Sequence, residues 1–169
     1  MPKVELERPL SVPAVPARAA ASFITHAIEA QTDGWDEFAL YLDFGALGLP
    51  DVGYVAVPIT ISNVREVLEP RHEIAFILKA RRSPDAFPVF KGAIGIEATG
   101  PSLSQIWLGG DYELPMHALG GLINQVFARG AAEKTLDNML RELADAIEAH
   151  VQQRERAHAR YRLVFNTGD

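Results

Sequence analysis

The chain has 169 residues, 48% of them hydrophobic and 22% charged, with a formal net charge of −6 and no cysteine. A chain of roughly 150 residues buries about 70% of its unfolded surface, so one domain can hold itself together without staples. Disulfides, thiolate metal sites and cysteine nucleophiles are excluded outright, and the acidic excess argues against nonspecific binding to nucleic acid or an anionic membrane. The opening residues, from Met1 to Pro9, carry no apolar signal-peptide core, and no run of about 18 apolar residues appears. A cytoplasmic location with no membrane span is the expectation.

In chain order, Val4 to Val12 alternates loosely and reads as an edge strand, its pairing limited by Pro9. After Pro13 and Pro16, the alanine-rich stretch Ala17 to Ala30 carries Phe23, Ile24, Ala27 and Ile28 at helical spacing, as one or two short helical pieces ended by Thr32-Asp33-Gly34. Five alternating segments follow. Their apolar members are Phe38, Leu40, Leu42 and Phe44; Val55, Val57, Ile59 and Ile61; Ile74, Phe76 and Leu78; Phe90, Ile94 and Ile96; and Ile106 and Leu108, with Gly110 and Tyr112 in the same parity. Repeated period two means antiparallel strands sharing one apolar face. Glu69-Pro70, Ser83-Pro84-Asp85 and Thr99-Gly100-Pro101 supply the turns. Pro58 marks a bulge or an edge.

The last third changes period. Pro115 opens a short helix through Leu119, Leu122, Ile123 and Val126, and Gly130 breaks it. From Ala131 to about Arg156 a second helix carries Leu136, Met139, Leu140, Leu143, Ile147 and Val151 as one apolar stripe, with Asp137 and Arg141 spaced for a surface ion pair. Residues 157–169 form a tail, with an extended course as one reading. The fold class is therefore α+β: an antiparallel sheet of about six strands curved around a long C-terminal helix, with a cavity where twist and curvature keep the two from closing.

Several stretches carry a resemblance. Phe87-Pro88-Val89-Phe90-Lys91-Gly92 is followed by Leu108-Gly109-Gly110-Asp111-Tyr112-Glu113-Leu114-Pro115, then by Ala118-Leu119-Gly120 and by Arg129-Gly130-Ala131-Ala132-Glu133-Lys134-Thr135-Leu136. The pattern resembles the START-related helix-grip superfamily, also called SRPBCC or polyketide cyclase/dehydrase-like, over roughly residues 53–151. The resemblance implies a single helix-grip domain over 1–169. It also implies a cavity that takes lipids, quinones, hormones or polyketides, in some members with cyclisation or dehydration there. Fold does not choose among these.

The residues themselves hold no catalytic constellation, and no cofactor or metal is expected. His26, His72, His117, His150 and His158 make no metal-binding spacing, and His150 and His158 fall on the exposed end of the last helix. His72 shares parity with Ile74 and Phe76, so it is either a rim histidine or a candidate base. Tyr112 points inward, as an apolar ring or a weak acid. Ser83, Ser102 and Ser104 lack a triad context. Asp33, Asp36 and Glu37 read as a solvated acidic turn rather than a metal site. Trp107, with Leu103 and Ile77, faces outward and marks either a capped surface or a homodimer interface. Gly92 and Gly110 face inward and leave room, so that Gly110→Leu should block a pocket while sparing the fold. The expected ligand-binding set is His72, Phe76, Phe90, Ile94, Ile106, Leu108, Tyr112, Met139 and Leu143, around a pocket of roughly 300–1,000 Å³. Binding or transport of a hydrophobic small molecule leads, with a cyclase/dehydrase-like enzyme and a filled-core interaction module as alternatives.

Overall fold

The computed structural model describes residues 3–30, 39–43, 54–81, 88–113 and 125–165. The acidic turn, Ser83, His117 and the short helix from Pro115 lie outside the described residues, as do Phe38 and Phe44.

Strand β1 (Lys3–Leu10) leads into helix α1 (Ala14–Glu29); β2 (Ala39–Asp43), β3 (Tyr54–Val67), β4 (Glu73–Ala80), β5 (Val89–Ala98) and β6 (Ser104–Glu113) follow, and helix α2 (Gln125–Phe165) ends the order. β1, β6, β5, β4 and β3 make one antiparallel ladder, and β2 joins the opening of β3, giving the order β1-β6-β5-β4-β3-β2. β1 is the edge strand the sequence suggested, the place in a sheet where a proline such as Pro9 is tolerated.

Helix α1 is one piece. Pro13 stands at its N-cap and Pro16 falls in its first turn, where a missing N–H interrupts no helical bond. Its apolar face, Ala17, Ala20, Ala21, Ile24 and Ile28, is buried. The three alanines let the helix sit close against β3 and β5.

Strand β3 changes partner. Residues 54–58 pair with β2 and residues 59–67 with β4. Pro58 sits at the change, and its carbonyl accepts from the Arg81 backbone N–H. The bulge lies further on, between Ser62 and Arg65, where Asn63 takes φ 55°. Asparagine tolerates that left-handed geometry. The Val64 N–H, freed from the ladder there, donates to Glu29 at the end of α1, which ties the bend in the sheet to the helix.

Helix α2 differs from the sequence expectation at both ends. It runs unbroken through Gly130, and it continues to Phe165 instead of giving way to an extended tail. At about 1.5 Å per residue its 41 residues span about 60 Å. The predicted stripe from Leu136 to Val151 is buried throughout, and residues 152–160 are exposed. Asp137 does not serve Arg141: it accepts from Arg8 of β1 at 2.8 Å. Glu148 accepts from the Ser11 N–H at 2.6 Å. Together these two contacts fasten α2 to the C-terminal end of β1.

Candidate functional site

The concave face of the sheet is built in cross-strand rows. Leu78, Phe90 and Tyr112 form one row, Phe76, Gly92, Gly110 and Val4 the next, and Ile74, Ile94, Leu108 and Leu6 the third. Period two in each strand puts these residues on one face. Helix α2 brings Met139, Leu140, Leu143 and Ile147 over that face, and all belong to one buried core. The structure thus gathers Phe76, Phe90, Ile94, Ile106, Leu108, Tyr112, Met139 and Leu143 into the layer between sheet and helix, with His72 at one end.

Phe90, Ile94, Ile106, Leu108 and Tyr112 are at most 2% exposed. The glycine row is not vacant either. A Cβ on Gly92 would stand 2.4 Å from the Phe90 ring, and one on Gly110 would stand 2.8 Å from it. The Phe90 ring therefore lies over both glycines and against Phe76, with ring centroids 5.8 Å apart. The room they leave is taken by an aromatic side chain of the chain itself.

The end of the layer at the β3–β4 turn is closed by α1. Arg18 donates from Nε to the Ile96 carbonyl at 3.0 Å. Ser22 donates to Glu66 Oε2 at 2.8 Å, and His72 Nε2 lies 2.8 Å from Glu66 Oε1. The hydrogen bond from His72, with that from Ser22, holds the Glu66 carboxyl below the usual carboxylate range, against an opposing push from burial. An ionised Glu66 only accepts, so His72 Nε2 carries the proton. His72 Nδ1 is buried with no partner among the described residues. His72 is thus an oriented, mostly buried histidine. It also lines a groove of about 370 Å³ with Arg18, Leu68 and Pro70.

That linkage gives stability a pH dependence. Because Glu66 is depressed in the folded state, its contribution is present above the ordinary carboxylate pKa and is lost as pH falls through the folded value. Glu66→Gln should lower the urea midpoint at neutral pH, and the gap to wild type should close in acid. A gap constant from neutral to acid would mean that the charge on Glu66 contributes nothing.

On the convex face, Trp107 is half-buried. Its ring lies across Gly95, where a Cβ would come within 2.4 Å of it. The Arg71 guanidinium stacks over the ring at 4.1 Å and pairs with Glu97. Trp107 therefore faces outward, as its parity indicated, under an arginine cap. The helical pattern puts His150 on the solvent side. It is half-buried and stacks on Phe23, centroids 4.9 Å apart, while His158 is exposed. The Ser22–Glu66–His72 chain and the Phe23–His150 stack were not foreseen. Only the first left a trace in the sequence: Glu66 and His72 flank the turn at Glu69-Pro70.

No family model matches the chain, and no curated protein does. Solved structures do. An aromatase/cyclase, Zhui from Streptomyces sp. R1128, superposes with a TM-score of 0.55 at 18% identity, over 93% of this chain and 97% of that one. A conserved protein from Geobacillus kaustophilus gives 0.52 at 12% identity, over 86% and 95%. The chain has the helix-grip fold. The di-domain ARO/CYC BexL of the BE-7585A biosynthetic pathway gives 0.50 at 15% identity, over 90% of this chain and 47% of that one. A helix-grip arrangement accounts for the layer described above, in which a curved antiparallel sheet holds α2 across its concave side. Among the described residues no helix is long and apolar enough to cross a membrane.

Proposed function

We propose that the chain binds or transports a hydrophobic small molecule, of the lipid, quinone or polyketide-like class, between the sheet and α2. The observation that carries this reading is how α2 is seated. Apart from α1, its close backbone approaches are chiefly to β1 and β2, the two edge strands, fewer to β6, and fewer still to β4 and β5 in the middle. A helix held mainly at the rims supports a trough beneath it, whose walls would be apolar: Val57, Phe76 and Leu78 below, Leu136, Met139 and Leu143 above. Helix α1 shuts one end. At the other end β2, β4 and β6 finish and β3 and β5 begin, and a ligand would enter there. Apolar walls with few polar groups favour carriage of an apolar molecule.

Cyclase chemistry of the kind named for two structural neighbours has less support. Tyr112 stands in register with Phe90 and Leu78, six residues along β4 from His72. At about 3.3 Å per residue, the two candidate acid-base groups lie about 20 Å apart along the sheet, too far to serve one reacting atom. The filled-core module is the second reading, favoured by the Phe90 ring over Gly92 and Gly110.

Displacement of an environment-sensitive apolar dye tests the proposal, with circular dichroism as the folding control. Wild type should bind dye and release it to a fatty acid, a quinone or an aromatic polyketide at micromolar concentrations. Met139→Trp should fold and bind none of them, because the larger ring occupies the trough. A folded wild type that binds nothing would hand the case to the filled core. So would a Met139→Trp that loses about 1–3 kcal/mol of stability, the usual result of overpacking.

A further inference from the structure

Phe23 is an anomaly for a side chain on a helix that packs a core. It is 54% exposed although its neighbours Ile24, Ala27 and Ile28 are buried. Its ring is not adrift: it stacks on His150 of α2 at an interplanar angle of 23°, so the aromatic surface is held in a fixed orientation while much of it stays in water. Beside it runs a groove of about 550 Å³ lined by Ser22, Phe23, His26, Ala27 and Glu66. The groove therefore combines an aromatic platform, a second ring in His26, an alanine floor and one carboxylate.

The carboxylate is the decisive member. Glu66 is held rigidly by Ser22 and His72, one hydrogen bond to each oxygen. Each carboxylate oxygen has a further lone-pair site beyond the hydrogen bond that it accepts from Ser22 or His72. A fixed anion next to the exposed face of an aromatic ring is the arrangement that recognises organic cations. The ring quadrupole attracts the charge, the carboxylate complements it, and the apolar floor takes the hydrocarbon. The net charge of −6 draws cations toward the molecule at long range. We propose that the groove between α1 and the end of β3 binds an organic ammonium ion. This site lies outside the trough under α2 and does not depend on what the trough holds.

The test uses the whole chain and benzyltrimethylammonium chloride as the probe, with benzyl alcohol as the uncharged control of similar apolar character. Amide and side-chain NMR shifts report the site. The cation should give saturable shifts centred on Ser22, Phe23, His26 and Ala27, and benzyl alcohol should give none there. Phe23→Leu keeps an exposed apolar side chain but removes the ring. It should weaken binding roughly two- to fivefold, the range for one exposed cation–π contact, with the urea midpoint unchanged. Glu66→Gln keeps the side-chain shape, with its oxygen toward His72 and its amide NH2 toward the Ser22 hydroxyl, which can turn to accept, and should abolish binding. Four results would each overturn the proposal: no saturable shift at millimolar probe, equal shifts from benzyl alcohol, Phe23→Leu binding as wild type, or Glu66→Gln binding as wild type.

Discussion

Gly110→Leu should fail to fold, with a loss of at least about 3 kcal/mol, rather than give a folded protein with an obstructed pocket. The reason lies in what surrounds Gly110. A Cβ there would stand 2.5 Å from the Lys91 carbonyl oxygen and 2.6 Å from the Gly92 Cα. Both are backbone atoms of the neighbouring strand, so relief requires the β5–β6 ladder to open. The Phe90 ring, 2.8 Å away, cannot retreat, because it is 2% exposed and packs on Phe76. Gly92 is equally confined, with Gly109 oxygen and the Phe90 ring as its neighbours. Gly130 supplies the contrast. It sits inside α2, and a Cβ there meets nothing within 4 Å. Gly130→Ala should raise stability by up to about 1 kcal/mol through helix propensity. Far-ultraviolet circular dichroism and urea midpoints check both. A folded Gly110→Leu with a near-normal midpoint would mean that β5 and β6 are further apart than described.

The glycines show how far the sequence could be read. Parity correctly put Gly92 and Gly110 on the face shared by Phe76 and Phe90. It could not say that the Phe90 ring, two residues away on the same strand, folds over them, since period two assigns faces and not neighbours. The same limit applies to Asp137. The spacing rule sees only its own helix and offers Arg141, whereas the tertiary structure brings Arg8 from the other end of the chain. Glycine is a poor helix former, which is why the pattern breaks at Gly130 in the sequence. Its penalty of about 1 kcal/mol is small against a helix that buries Leu136, Leu140, Leu143 and Ile147 together. The apolar stripe and the strand alternation were legible because burial enforces them at every turn. The bulge at Asn63 was not: its one extra residue reverses the parity, so that Ile61 and Glu66 share a face, in a stretch whose polar residues show no alternation to reverse. Of the nine expected ligand contacts, the sheet–helix layer collects eight and leaves His72 at its α1 end, tied to a glutamate that lay in plain view six residues earlier.

Leu140→Ala should cost about 3–5 kcal/mol, in the upper part of the range for a leucine removed from a close-packed core. Leu140 is 0% exposed at the middle of the α2 stripe, between Leu136, which precedes it by one turn, and Ala144, which follows by one. The surrounding side chains are themselves buried, so they cannot collapse into the void. Leu143→Ala probes a different part of the same face. Leu143 is 4% exposed and stands over the trough that the proposed function requires. A side chain that borders open space has fewer packing contacts to lose, so its truncation should cost less, about 2 kcal/mol. The comparison is informative because helix propensity and residue type cancel between the two variants. A clear excess for Leu140→Ala fits a helix that bridges a trough. Equal losses at the top of the range would fit a core filled along its whole length, and the interaction-module reading would then replace carriage. An unchanged denaturant midpoint for either variant would mean that the buried face of α2 has been assigned wrongly.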